Sequence, residues 1–199
     1  MAKTPQDAKL FLGDIIMLTT DDVPSRVIRN ATRSSYSHAA FCLGDGYVVE
    51  AITSGVRKAA IETCLLKASI ADAYRVTGLT PQQAKLAGDF VLKQLHKQYD
   101  YVGAYGSSIS HPQPLNTFLL VTATQMGSYL INSRDPGSSL FCSELIVLAF
   151  KHAGVELADD AARATPQMLR SSSKLKKIAQ LRPAVEKEES KPGKAALVG

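Results

Sequence analysis

Ser37-His38-Ala39-Ala40-Phe41-Cys42-Leu43-Gly44-Asp45-Gly46-Tyr47-Val48-Val49-Glu50-Ala51-Ile52 holds two apolar runs separated by a glycine-rich turn. Both runs have strand length and strand composition, and Gly44-Asp45-Gly46 supplies turn chemistry, so the stretch predicts a β-hairpin. A turn of that odd length sets Leu43 opposite Tyr47 and Ala40 opposite Glu50. His38 then shares their face as a diagonal neighbour of Glu50. A turn one residue shorter would send the histidine and the glutamate to opposite faces.

Working outward, Gly13-Asp14 introduces the β-branched run Ile15-Ile16-Met17-Leu18, a further strand. Pro24 to Arg33 suits a short helix with Asp22 as its cap. Val56 to Ile61 and Ala71 to Val76 complete an antiparallel sheet. Thr80-Pro81-Gln82-Gln83 gives a cap, a proline in the first turn and a capping-box glutamine, followed by Ala84, Ala87, Phe90, Val91 and Leu95 on one helical face. Leu140 to Ala153 is a second helix stopped by Gly154, and a last short helix starts at Thr165-Pro166. Tyr99 to Ser139 is rich in Gly, Ser, Pro and Thr and gives no clear period. The reading is α+β: about five or six antiparallel strands packed by the cysteine-bearing helix and one or two others.

The chain of 199 residues, 45% hydrophobic, has the size and core-forming capacity of one domain. We assign residues 1–181 to that domain and 182–199, charged and nearly free of large apolar side chains, to a disordered tail. Cys42, Cys64 and Cys142 are odd in number and show no metal-ligand spacing with histidine, so neither a disulfide framework nor a metal site is expected, and no cofactor motif is present. The net charge of +5 is not gathered into a basic stripe with interleaved aromatics, and nucleic acid is not expected as a partner. The charge permits contact with anionic lipid or an acidic wall polymer and selects neither. Met1 to Asp14 has no secretory pattern, leaving a cytoplasmic protein or one exported by a specialised route. Oligomeric state is not written in the sequence.

Cys142 stands in Ser138-Ser139-Leu140-Phe141-Cys142-Ser143-Glu144-Leu145, where the serines can cap the helix and set the cysteine in its first turn. Helix-terminal N–H groups and the dipole favour a thiolate there, and the same donors can meet an oxyanion. A lone cysteine in a helix also reads as a small packing residue. What weighs against that is His38, since a thiol nucleophile needs an imidazole to take and return its proton, and Glu50 can fix the tautomer. Cys42 and Cys64 read as core, and His96, His111 and His152 as structural or solvated.

Gly13-Asp14-Ile15-Ile16, Ser37-His38-Ala39-Ala40-Phe41, Val48-Val49-Glu50-Ala51, Tyr99-Asp100-Tyr101, Phe141-Cys142-Ser143-Glu144-Leu145-Ile146 and Ala164-Thr165-Pro166-Gln167-Met168-Leu169 together resemble the YiiX-like circularly permuted papain-like proteins. That group lies in the NlpC superfamily and is related to lecithin:retinol acyltransferase. The resemblance implies a permuted papain-like fold, in which the histidine strand precedes the cysteine helix. It also implies Cys142 as nucleophile, His38 as base, Glu50 as the orienting residue and Tyr99 as an oxyanion-hole candidate. The implied activity is a thiol hydrolase or amidase acting on cell-wall (peptidoglycan) peptide or a related amide. Its rivals are a lipid acyl hydrolase or acyltransferase, favoured by the apolar segment Leu115 to Ile131, and a non-catalytic binding module. The segment from 105 to 138 is longer than the family pattern leads one to expect.

Overall fold

The computed structural model describes residues 1–52, 54–99, 139–140, 142–159, 161 and 164–182. Six antiparallel strands form one sheet in the order β4-β3-β2-β1-β5-β8. Their ranges are β1 Ile15–Thr20, β2 His38–Cys42, β3 Tyr47–Ile52, β4 Gly55–Ala60, β5 Ala68–Val76 and β8 Leu175–Gln180. The two-residue strands β6 (Gln98–Tyr99) and β7 (Ser139–Leu140) pair in parallel apart from it. The helices are α1 Pro5–Ala8, α2 Val23–Thr32, α3 Ile61–Leu66, α4 Pro81–Lys93, α5 Cys142–His152 and α6 Pro166–Ser171.

The hairpin forms in the expected register. The Leu43 N–H donates to the Tyr47 carbonyl at 2.9 Å, and Ala40 pairs with Glu50. Gly44 has φ +83°, and a Cβ there would meet the Leu12 backbone nitrogen at 2.7 Å, so the turn needs glycine for both conformation and space. Gly13 has the same double reason: its φ is +91°, and a Cβ would lie 2.7 Å from Leu79 Cδ2. Asp14 beside it is a buried anchor whose carboxylate accepts the Phe11 N–H and two Arg75 donors at 2.7 and 2.8 Å.

Side-chain alternation splits the core in two. Ile15, Met17, Ala39, Phe41, Val49 and Ala51 face α4 and α5, where Phe41 meets Phe150 at 5.7 Å between ring centroids. Ile16, Leu18, Ala40, Cys42 and Val48 face the other way, onto Ile61, Cys64 and Leu65 of α3. Burial on both faces explains why β1 reads as a continuous apolar run rather than an alternating one. On the α5 face, Asp72 is 4% exposed; it accepts the Tyr36 hydroxyl and pairs with Lys177 at 2.7 Å, and Tyr74 completes the cluster 2.9 Å from Tyr36.

Several elements depart from the expectations. Ile61 opens α3 instead of ending β4. Residues 175–180 form β8, which pairs with β5 as a sixth strand and was not foreseen. Ser139 lies in β7, and α5 starts at Cys142, so Ser139 is a strand residue and not a helix cap. The capping box of α4 is present in both directions, Asp22 caps α2 through the Ser25 N–H, and Thr165 caps α6 through the Met168 N–H. The long segment 105–138 and the tail from 183 onward lie outside the described residues.

Candidate functional site

The site is assembled at one end of the sheet, where β2 starts and β3 ends. His38 is the first residue of β2; its partner in β1 is Leu18. Glu50 lies opposite Ala40, so the imidazole reaches it diagonally, and His38 Nε2 stands 2.8 Å from Glu50 Oε2. Opposite Glu50 on β4 is Arg57, which donates from Nε and Nη2 to the other oxygen, Oε1, at 2.9 and 2.7 Å. Besides burial, the negative charge of this carboxylate helps raise the Cys64 thiol of α3. Glu50 is 3% exposed. Burial alone would push its carboxyl up, but His38 and Arg57 outweigh that and bring it down to about 2.

Cys142 enters from the opposite face of the sheet at the first position of α5, which packs across β2 and β3. The backbone alternation of the hairpin aims the Ala39 N–H toward β3, yet the β2–β3 ladder ends at Ala40 and Glu50. That N–H is left to the Cys142 sulfur, whose anion it and the His38 imidazole favour, and the sulfur lies 3.9 Å from the Ser143 hydroxyl. Since Nε2 faces Glu50, Nδ1 is the nitrogen left to serve the thiol.

The three groups therefore form a line from thiol to imidazole to carboxylate. Burial raises the Cys142 thiol, but the protonated ring, the Ala39 N–H and the Ser143 hydroxyl hold it below its ordinary value of 9.0. Burial works against the imidazolium as well, yet the hydrogen bonds and negative charge of Cys142 and Glu50 carry His38 up to about 10. Both shifts favour the thiolate–imidazolium form of the pair. By contrast, burial pushes both Cys42 and Cys64 up to about 12. The three cysteines are free and buried, and one of them is acidified.

Of the residues singled out in the sequence, the structure brings Cys142, His38 and Glu50 together. Tyr99 lies in β6 with its backbone opposite Leu140, two positions before Cys142, and its side chain falls outside the described residues. His152 packs against Phe90 at 5.2 Å between rings, and His96, in the turn after α4 with φ 70°, donates its N–H to the Val56 carbonyl at 2.8 Å. Sequence reasoning missed Arg57 and the Ala39 N–H. Arg57 becomes visible once the β3–β4 register is known, because Glu50 pairs with it directly. Among the described residues, no group of three or more His, Cys, Asp or Glu is arranged to hold a metal.

Residues 9–108 match the family described as permuted papain-like amidase enzyme, YaeF/YiiX, C92 family. The chain is 32% identical over 152 residues to the probable lipoprotein peptidase YaeF of Escherichia coli (strain K12), covering 71% of this chain and 56% of that one. It thus spans a little over half the length of the curated relative it matches. A crystal structure of the metalloprotein yiiX from Escherichia coli O157:H7 superposes with a TM-score of 0.64 at 18% identity, covering 88% of this chain and 99% of the other, which establishes the likeness of fold. Sheet, helix packing and the order of histidine strand before cysteine helix agree with this, and the chain belongs to the permuted papain-like amidase family of YaeF and YiiX.

Proposed function

We propose that the protein is a thiol amidase or peptidase that forms an acyl-enzyme on Cys142. The observation that carries the reading is the His38 imidazole, hydrogen-bonded to Glu50 and acidifying the Cys142 thiol while the other two cysteines are pushed up. The thiolate attacks the carbonyl carbon of an amide, the carbon–nitrogen bond breaks, and the His38 imidazolium gives its proton to the departing amine. Water, activated by the now neutral ring, then releases the acid. Glu50 holds the ring in place and balances its charge. The oxyanion is met by the Cys142 N–H at the start of α5, where helix donors are unpaired, and Tyr99 is put forward as the second donor on the resemblance of its motif alone.

The peptidase relative supports a peptide or amide substrate, and a cell-wall peptide or a related amide is the substrate class we put forward. A panel of muropeptides, simple peptide amides and phospholipids, each compared with Cys142→Ala, tests it. Cleavage of an amide that vanishes in the variant supports the proposal. Turnover confined to lipid ester, or equal in the variant, overturns it.

A further inference from the structure

A cavity of about 380 Å³ opens beside His38 and Glu50. It lies at the same end of the sheet as the thiol, between α2 and α3, and reaches Ala51, next to the point where the β2–β3 ladder stops. Cys142 does not line it and is 3% exposed, whereas the His38 side chain does line it and is 17% exposed. The imidazole of the pair thus borders this space and the nucleophile does not. A departing amine has to lie within reach of the imidazolium, so the half of the substrate that leaves is the half that belongs on this side.

The chemistry of the walls narrows what that half carries. The α2 wall carries Asp22, which accepts the Thr20 hydroxyl and the Ser25 N–H and is, among the described residues, the one carboxylate on that wall, and the Ser25 hydroxyl, which donates to that of Ser37 at 2.6 Å. Both Glu50 oxygens are taken by His38 and Arg57. Unspent capacity lies on the other wall and is cationic. Arg57 uses Nε and Nη2 on Glu50, leaving Nη1, and the exposed Lys67 at the end of α3 makes no ion pair among the described residues. A carboxylate can accept from both side chains, while a cationic group would be repelled by both and by protonated His38, with Asp22 as the one exposed carboxylate among the lining residues to offset them.

We propose that this cavity is the subsite for the leaving half of the substrate and that it selects a carboxylate-bearing group, held by Lys67 and the free edge of Arg57. This rests on the reading of Cys142 and His38 given above, and its test separates the two. Glutarate and its neutral counterpart glutaramide serve as probes in an NMR titration of the full chain at low salt. Glutarate is expected to shift the amide resonances of Ile52, Thr63 and Lys67, and glutaramide to leave them in place. Lys67→Glu is expected to weaken glutarate binding by about tenfold or more, with Lys67→Gln between it and the parent.

Equal behaviour of the two probes, or undiminished glutarate binding in Lys67→Glu, overturns the subsite. In a parallel arm, glutarate is expected to slow alkylation of Cys142 by iodoacetamide. If glutarate binds as expected and Cys142 proves inert to the reagent, the carboxylate site stands, and its role for a leaving half falls with the nucleophile assignment. If Cys142 is selectively alkylated and glutarate does not bind, the reverse holds.

Discussion

Arg57 is the direct cross-strand partner of Glu50, and it spends two donors on one carboxylate oxygen while His38 takes the other. The carboxylate is 3% exposed, so each of its donors matters. Held from one side by a planar fork, Glu50 presents its second oxygen to the imidazole in a fixed direction. Arg57 acts through Glu50 and is a positioning residue.

Replacing Arg57 with alanine removes that fork. The expected result is roughly 10-fold slower alkylation of Cys142, on the order of one charge-assisted hydrogen bond lost from a buried carboxylate. Arg57→Lys keeps charge without the paired donors and recovers part of the rate. The pH profile distinguishes positioning from simple damage. Without Arg57 the Glu50 carboxyl moves from about 2 toward its ordinary 4.5, so reactivity on the acid side is lost at a higher pH than in the parent.

His38 is carried up to about 10 by its two anionic neighbours. Imidazole resonances followed by NMR are therefore expected to titrate far above the ordinary 6.5, and to fall back toward it in Cys142→Ala and in Glu50→Gln. The sign for stability follows. The two members of the pair work in opposite directions: the raised His38 alone contributes fully below pH 6.5 and loses that contribution as pH rises toward about 10, whereas the lowered Cys142 thiol contributes fully above 9.0 and loses that contribution as pH falls, so the two largely cancel between 6.5 and 9.0. Melting temperature in Cys142→Ala should therefore decline across that interval more than in the parent.

The Asp72 cluster has no assigned part in the chemistry and carries a stability prediction. Tyr36→Phe deletes a donor to a carboxylate that is 4% exposed and leaves it with Lys177. A loss of about 2 kcal/mol is expected, or roughly 5 °C in Tm. Thermal melts monitored by circular dichroism check this.

Asp14 and Arg75 give a sharper test of a buried charge. Arg75→Ala leaves a carboxylate that is 2% exposed without its two guanidinium donors, and about 3 kcal/mol of destabilisation is expected. Asp14→Ala combined with Arg75→Ala should cost clearly less than the sum of the single changes, because the double variant leaves no stranded charge. Urea unfolding of the four proteins measures the coupling.

Much of the site was legible because its register depends on a few turn residues. Gly44-Asp45-Gly46 has the length and glycines of an odd-length hairpin turn, and this alone places His38 diagonal to Glu50. Thr80-Pro81-Gln82-Gln83 marks the start of α4 because its capping bonds are local. Arg57 could not be found that way, since its role depends on a strand pairing for which the sequence offers no turn of recognisable type. β8 was invisible for a different reason: Leu175-Lys176-Lys177-Ile178-Ala179-Gln180 is an edge strand with one fully buried side chain, Ala179, and carries no alternating apolar pattern. Ser139 resembles a helix cap in sequence, but pairing of β6 with β7 claims it for a strand.

The central claim is that one of three buried thiols is a nucleophile, held as a thiolate by His38. The most direct measurement is the site-resolved rate of iodoacetamide alkylation by peptide mass mapping on the native chain, from pH 5 to pH 9 on the order of the range spanned by these shifts. Modification confined to Cys142, fast already below neutral pH and strongly slowed in His38→Ala, is the predicted result. Uniform reaction of Cys42, Cys64 and Cys142, appearing only on denaturation, would contradict it.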